Sequence, residues 1–504
     1  MNLIIAESVY KRIKSSLGAG GKLPIDFFLE SADSNQLNFM PGAIDGMGFY
    51  DSDVPARVIR KVANLLKKYF TSGDGQFIEE LETILEDYQA IALVDPVRSH
   101  LYPKLKRRNT DRVLELSHAL LTTSSNAELV KIIIAVVGLF RLGNDHELVE
   151  TIMTLATCDE FTLYAAVAAT NWEHGNDIVF AMAQRVDGWG KIQAVRILQS
   201  ETDEIRDWLL HEGCMNNIMS AYLGLECAVK CDLISILRQG ALDSKTFDSV
   251  STIIVALLDE GPVSGISEYE YAEEALMLYL AHAEQHAKTM EYLWNITQVY
   301  AWAQYTEVEF RDAALASSER ILKRDEWDSK LIDAVRTRDA KDMHHAYYVA
   351  SQLNIDLSDE IFLAVKEEPL KHYGYLSVLF QDADKVTELI SLYEATLPLE
   401  EMAEGMGDYL FSKKLADEHY CLDVLLQELG AYPCQGVALI MTGLNSPVIR
   451  SRNLAGRALL GWMDVLKLPL GEISSELFAE VQRIDKIEVD DSVKETITGI
   501  LQSS

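Results

Sequence analysis

The sequence predicts an all-α protein built as a helical-repeat array, and three observations carry that prediction. Turn residues are scarce, with 11 prolines and 28 glycines in 504 positions, whereas an all-β chain of this length needs many more. Apolar residues make up 48%, ample for a folded core, yet a single core stops growing at roughly 250–300 residues. A repeat array escapes that ceiling because its core lengthens with the chain. Finally, Gly143-Asn144-Asp145 recurs as Gly175-Asn176-Asp177, 32 residues later, with helical stripes after each copy.

Taken in order, residues 1–16 read as a helix, with Ile4, Val9, Tyr10 and Ile13 forming a partial apolar stripe among Lys11, Arg12 and Lys14. The pattern stops at 17–53, which holds Gly18, Gly20, Gly21, Pro24, Pro41, Gly42, Gly46 and Gly48. The same stretch carries Phe27, Phe28, Phe39, Met40, Phe49 and Tyr50. Apolar side chains left in water cost about 25 cal/mol per Å². The expectation is therefore an ordered, non-helical loop with Phe39, Met40, Phe49 and Tyr50 buried on the first helices. Residues 1–53 form this N-terminal region and 54–504 the repeat array, with a possible subdivision near 112–125. Val54–Phe70 and Phe77–Tyr88 read as two amphipathic helices split by Ser72-Gly73-Asp74-Gly75.

In the recurring unit, each glycine is expected at the positive-φ C′ position of one helix and the following Asn or Asp at the N-cap of the next. Leu148, Val149, Ile152 and Leu155 after the first copy match Ile178, Val179, Met182 and Val186 after the second. Between them lies an alanine-dense helix from Phe161 to Trp172, suited to close packing. Near the C-terminus, Asn445-Ser446-Pro447 leads into Arg452, Ala455, Gly456, Ala458, Leu459 and Gly461, with a weaker echo at Phe310, Arg311, Ala314 and Leu315. These segments resemble the inner helices of HEAT and armadillo repeats. The resemblance implies a HEAT-like α-solenoid in which the arginine ties adjacent repeats together through carboxylates or carbonyls.

The formal charge is −33. Residues 1–112 hold 15 Lys/Arg and 15 Asp/Glu, so the entire excess lies beyond them. Such a surface disfavours nucleic acid and anionic lipid and favours solubility. The two basic clusters, Arg57/Arg60/Lys61/Lys67/Lys68 and Lys104/Lys106/Arg107/Arg108/Arg112, read as solvated helix faces, with a phosphate- or nucleic-acid-binding face as the alternative. Binding through the acidic body would favour a basic partner steered electrostatically, with Glu307 and Glu309 beside the Arg311 helix as rim charges. The apolar run Ile132–Phe140 is nine residues long, and a bilayer needs about 20, so no membrane span is expected. The start lacks a basic segment and meets Glu7 early, unlike a secretory signal. Six scattered cysteines then fit reduced thiols in a cytoplasmic protein.

Several side-chain groups can be weighed for chemistry. His282 and His286, four apart, share a helix face and could ligate one metal, but Glu284 breaks the His-Glu-x-x-His order and no third ligand is evident. Cys227 and Cys231 are one residue too far apart for a redox Cys-x-x-Cys and read as core thiols. Gly18, Gly20, Gly21 and Lys22 lack the last position of a phosphate-binding loop, where Leu23 stands. Tyr269, Tyr271, Tyr279, Trp294, Tyr300, Trp302 and Tyr305 crowd one region, and His344, His345, Tyr347 and Tyr348 another. Packing accounts for such clusters, and ligand contact is the functional alternative.

The most distinctive text is Asn38-Phe39-Met40-Pro41-Gly42-Ala43-Ile44-Asp45-Gly46-Met47-Gly48-Phe49-Tyr50. It resembles the N-terminal region of bacterial limonene hydroxylases. That resemblance implies hydroxylation of limonene to carveol or perillyl alcohol and oxidation of carveol to carvone, with NADH as cofactor. It assigns no catalytic or cofactor-binding residue. The sequence itself shows no haem-thiolate loop, dinucleotide fingerprint or two-His-one-carboxylate set. The expectation from the residues is a cytoplasmic protein-binding scaffold or adaptor, with the terpene monooxygenase as its alternative.

Overall fold

The computed structural model describes residues 7–29, 39–47, 54–105, 110–143, 146–261, 263–410, 412 and 414–502. Among these residues every regular element is helical, from Val9–Ser16 to Asp491–Gln502, apart from an isolated parallel bridge between Tyr409 and Val448. The chain forms two compact units. Unit 1 is Met1–His286 with Gln298–Ser318, and unit 2 is Ala287–Thr297 with Glu319–Ser504.

Unit 1 begins with the Val9–Ser16 helix, capped where Ser8 Oγ accepts from Lys11 N. Ala56–Ser72 and Gln76–Leu85 follow, separated by Gly73 at φ 75°, whose N–H donates to Tyr69 O at 2.7 Å. The Ala127–Val137 helix starts at the Asn126 cap and is buried at every position from Leu129 to Val137. A helix apolar all round belongs at the centre of a core. It is followed by Asp159–Ala169, Trp189–Ile197, Ala221–Lys230 and Ser244–Leu258, each packed on the one before. Glu147–Leu155 and Gly175–Ala183 precede two of these and lie against them. Alanine sets the spacing: a Cβ on Gly138 would come within 2.7 Å of Ala168 Cα. No helix of the described residues is long and apolar enough to cross a membrane.

Of the two recurring glycines, Gly175 marks a helix boundary, for a different reason from the one expected, whereas Gly143 lies in the segment between Val137 and Glu147. Neither Gly143 nor Gly175 has positive φ; His174 takes that conformation, at φ 52°. Gly175 instead opens its helix, and a Cβ there would lie 2.0 Å from Ala169 O. Close approach, rather than handedness, requires the glycine. Asn176 is no N-cap; its amide exchanges two hydrogen bonds with Gln199, each 2.9 Å. In the first copy, Asn144 and Asp145 lie outside the described residues, and His146 caps Glu147–Leu155.

The N-terminal region also departs from expectation. Residues 43–47 form a short helix within the stretch read as non-helical. Phe39 and Met40 are 49% and 43% exposed; Phe49 and Tyr50 lie outside the described residues. Gly42, Ala43 and Asp45 make the buried contact here, and the small residues allow the segment to approach the helices closely.

In unit 2 the Ile449–Leu466 helix is central, touching Ala416–Leu429, Val437–Leu444 and Asp491–Gln502. Arg452, Ala455, Gly456, Ala458, Leu459 and Trp462 are buried along it. Trp462 Nε1 donates to Leu429 O at 2.7 Å. A Cβ on Gly461 would lie 2.8 Å from Gly430 O. Arg452 donates from Nε and Nη2 to the two carboxylate oxygens of Glu488, at 2.8 and 3.0 Å, and from Nη1 to Ser446 O at 2.8 Å.

Candidate functional site

A buried charged cluster of four side chains lies in unit 1, where residues 39–47 dock. Lys131, 3% exposed at its side chain, reaches Asp45 at 2.9 Å, Glu128 at 2.7 Å and Glu160 at 2.5 Å. Glu160 also accepts from Gly42 N at 2.7 Å. Gly42 sits at φ 74°, where a Cβ would meet Asp159 O at 2.5 Å, and a Cβ on Gly46 would meet Trp189 Cε3 at 2.4 Å. Burial works against the charge of Lys131, but Glu160, Glu128 and Asp45 outweigh it and hold the ammonium well above the usual lysine range. Burial pushes the Asp45 carboxyl up, and Lys131 pulls it back only in part. Asp159 is pushed up to about 6 by burial, against the backbone N–H groups of Gly190 and Gly188. A lysine–carboxylate group can move protons, but in this one the ammonium and Asp45 are buried and only the edges of Glu128 and Glu160 reach solvent. Its geometry makes it an anchor for the 39–47 segment.

An open site lies in unit 2, on the other face of the Ile449–Leu466 helix. Ile449, Arg450, Asn453, Leu454 and Arg457 line a cleft of about 490 Å³ with Gln427 and Leu410. The one-turn and two-turn spacing of these positions places them on one helix face, opposite buried Arg452, Ala455 and Leu459. Leu410 is held as a wall by backbone bonds: Gly405 N to Asn445 O at 3.1 Å, Tyr409 N to Pro447 O at 3.3 Å, and Ile449 N to Tyr409 O at 3.0 Å. Arg450 is 58% exposed at its side chain, and its Nε lies 3.3 Å from Asp423 Oδ2. Burial pushes Asp423 up, opposed by the Ser451 hydroxyl and by Arg450. Asn453 is committed to Ser492 and Thr496, at 2.8 and 2.9 Å. Arg457 is exposed and has no ion-pair partner among the described residues. Two guanidiniums over an apolar floor can hold carboxylates by charge-assisted hydrogen bonds.

The residues singled out from sequence fall elsewhere. His282 is buried, with Nε2 2.9 Å from Leu237 O, so Nε2 carries the proton and donates. His286 stacks on Phe247 at 4.5 Å. The two histidines share the Ala272–His286 helix but serve separate contacts. Among the described residues no group of three His, Cys, Asp or Glu is placed to hold a metal ion. Cys227 and Cys231 are buried thiols; the Cys227 thiol is raised by its hydrogen bond with Cys214 and by burial, and burial pushes Cys231 up to about 12. Lys22 pairs with Asp187 at 2.7 Å. Lys61 pairs with Glu80 and Arg112 with Glu115, while residues 106–109 lie outside the described residues. In unit 1, Tyr269 meets Tyr271, Tyr279 stacks on Phe247 and Trp302 stacks on Phe310, while Tyr305 is 87% exposed. In unit 2, Trp294 stacks on His345. Glu307 and Glu309 are exposed.

A three-residue alignment not anticipated from sequence joins Asp207, His211 and Ser249. His211 Nε2 is 3.5 Å from Asp207 Oδ1, and Nδ1 is 2.7 Å from Ser249 Oγ. Ser249 lies inside the Ser244–Leu258 helix, and its hydroxyl donates to Lys245 O at 3.2 Å. The serine proton is thus engaged by the helix backbone, and the alignment ties the Leu209–Gly213 π turn to that helix. No family model, curated protein or solved structure matches this chain.

Proposed function

We propose that the chain is a cytoplasmic helical-repeat scaffold of HEAT type that binds a protein partner. The observation that carries this reading is the cleft of unit 2, with two exposed arginines over an apolar floor on a helix whose opposite face is locked into the core. The serial packing of Ala127–Val137, Asp159–Ala169, Trp189–Ile197, Ala221–Lys230 and Ser244–Leu258 supports a repeat architecture. Arg452 supports it too, bonding a carboxylate and a carbonyl as the HEAT resemblance implies. The limonene hydroxylase alternative rests on the resemblance of segment 38–50.

The test has two arms. Purified chain is used to retain proteins from its native cytosol, and the retained protein is then purified and titrated against wild type and an Arg450→Glu/Arg457→Glu variant. The scaffold reading expects stoichiometric binding by wild type. It fails if no protein binds and limonene with NADH and oxygen is converted to carveol.

A further inference from the structure

The cleft of unit 2 is basic in an acidic setting. By sequence, unit 2 holds 20 Lys/Arg against 34 Asp/Glu, yet the charged residues lining this cleft are Arg450 and Arg457. Seven residues apart on a helix, they are separated by about 10 Å along its axis, at 1.5 Å per residue. Asp423 engages Arg450 through Nε, and the terminal nitrogens of Arg450 have no partner among the described residues. Ile449 and Leu454 supply apolar lining beside the arginines, Asn453 lies one turn from each, and Leu410, 56% exposed, forms the wall. A ligand matched to this arrangement carries two negative groups about 10 Å apart and an apolar group near Leu410.

From this we infer that the cleft recognises an extended acidic peptide segment with two carboxylates three residues apart and an apolar residue between them. A polyproline-II strand advances about 3.1 Å per residue with three residues per turn, so side chains i and i+3 share a face about 9 Å apart. That spacing matches the axial separation of positions 450 and 457, whose forked guanidinium donors fit carboxylate oxygens. The surrounding acidic excess favours a short segment with two charges over a polyanion, which it would repel along its length. The net charge of the chain favours a basic partner; the cleft selects locally for the opposite sign. This inference rests on the scaffold reading and specifies its ligand.

The experiment is fluorescence polarisation with the full chain and a labelled peptide, Gly-Ser-Glu-Leu-Pro-Glu-Gly-Ser. Binding is expected to weaken as salt rises, as the Debye length falls to about 8 Å at physiological strength. Arg457→Glu is expected to weaken it by about tenfold, and Arg457→Gln by less. A peptide with lysines replacing the glutamates should bind the Arg450→Glu/Arg457→Glu chain better than wild type. Circular dichroism and thermal midpoint confirm that each variant is folded; both arginines are exposed and outside the core. Equal binding of the Gln-Leu-Pro-Gln peptide, no effect of Arg457→Glu, or preference for a short single-stranded oligonucleotide would each overturn the inference. A protein partner that binds independently of Arg450 and Arg457 would overturn it while leaving the scaffold reading intact.

Discussion

Lys131 in unit 1 and Arg452 in unit 2 are both cations sealed within helical cores, 3% and 1% exposed at their side chains. They are neutralised differently. The guanidinium of Arg452 matches Glu488 with two donors and spends a third on Ser446 O, so one cation meets one anion with satisfied geometry. Lys131 is a point charge without that fork and gathers three carboxylates from three places: Asp45, Glu128 and Glu160. One site is balanced and locks neighbouring helices; the other carries surplus negative charge and holds down a segment.

The pH dependence is reversed between the two sites, because at Asp45 burial outweighs the pull of Lys131. At Glu488 burial acts to raise the carboxyl, but Arg452 and the N–H groups of Asp490 and Val489 win and hold it below its ordinary 4.5. Its stabilisation is complete above that value and is lost as pH falls through the lower folded one. At Asp45 the folded value lies above the ordinary 3.8. Its contribution is complete below 3.8 and is lost as pH rises through the raised value.

Breaking the balanced pair should have the largest effect. Arg452→Ala strands Glu488 in the core and is expected to lower unfolding free energy by about 3–5 kcal/mol in urea titrations, with Arg452→Met/Glu488→Met recovering most of it. Lys131→Met should cost about 3 kcal/mol at neutral pH, somewhat less because Glu128 and Glu160 are partly exposed. Its deficit should shrink as pH falls and Asp45, already raised by burial, takes up a proton. If Lys131→Met proves costlier than Arg452→Ala, the contrast between the two sites fails. Gly42→Ala combines a strained φ with a clash against Asp159 O and should cost about 1–3 kcal/mol. Its local readout is faster proteolysis within 39–47.

The helices were readable because their signals are local: sparse Pro and Gly, and apolar stripes such as Leu148/Val149/Ile152/Leu155, all buried. Gly175 was readable as a boundary, but its reason was not, since the obstructing Ala169 carbonyl belongs to tertiary packing. Lys131 offered an overlooked signal: a lone charge opening the run Ile132–Phe140 must find anions when its helix is buried on every side. Phe39 and Met40 stay exposed, against expectation from their apolar character, because the segment makes its buried contact through Gly42, Ala43 and Asp45. The cleft could not be read, because Leu410 reaches Arg457 through backbone pairing of two loops, which no periodicity reports.

The smallest predicted effect gives the sharpest test of the comparison. Asp45→Asn removes one carboxylate from a site with three while keeping its shape. Lys131 retains Glu128 and Glu160, and Asp45 pays more for burial of its charge than Lys131 returns. At neutral pH the substitution should therefore change stability by less than about 1 kcal/mol, within the range of ordinary surface changes, although the residue is buried and ion-paired. Glu488→Gln, chemically the same change at the balanced site, should cost clearly more, because a charge-assisted bidentate bond is lost beside a buried guanidinium. Urea unfolding at pH 5 and pH 7 separates the cases. Over this interval wild type should lose stability through Asp159, which burial raises to about 6. Asp45→Asn should leave that Asp159 share in place and remove only the loss that accompanies the rise of pH through the raised Asp45 value. A large loss of stability at neutral pH in Asp45→Asn would mean that all three carboxylates are needed, and that Lys131 is as tightly matched as Arg452.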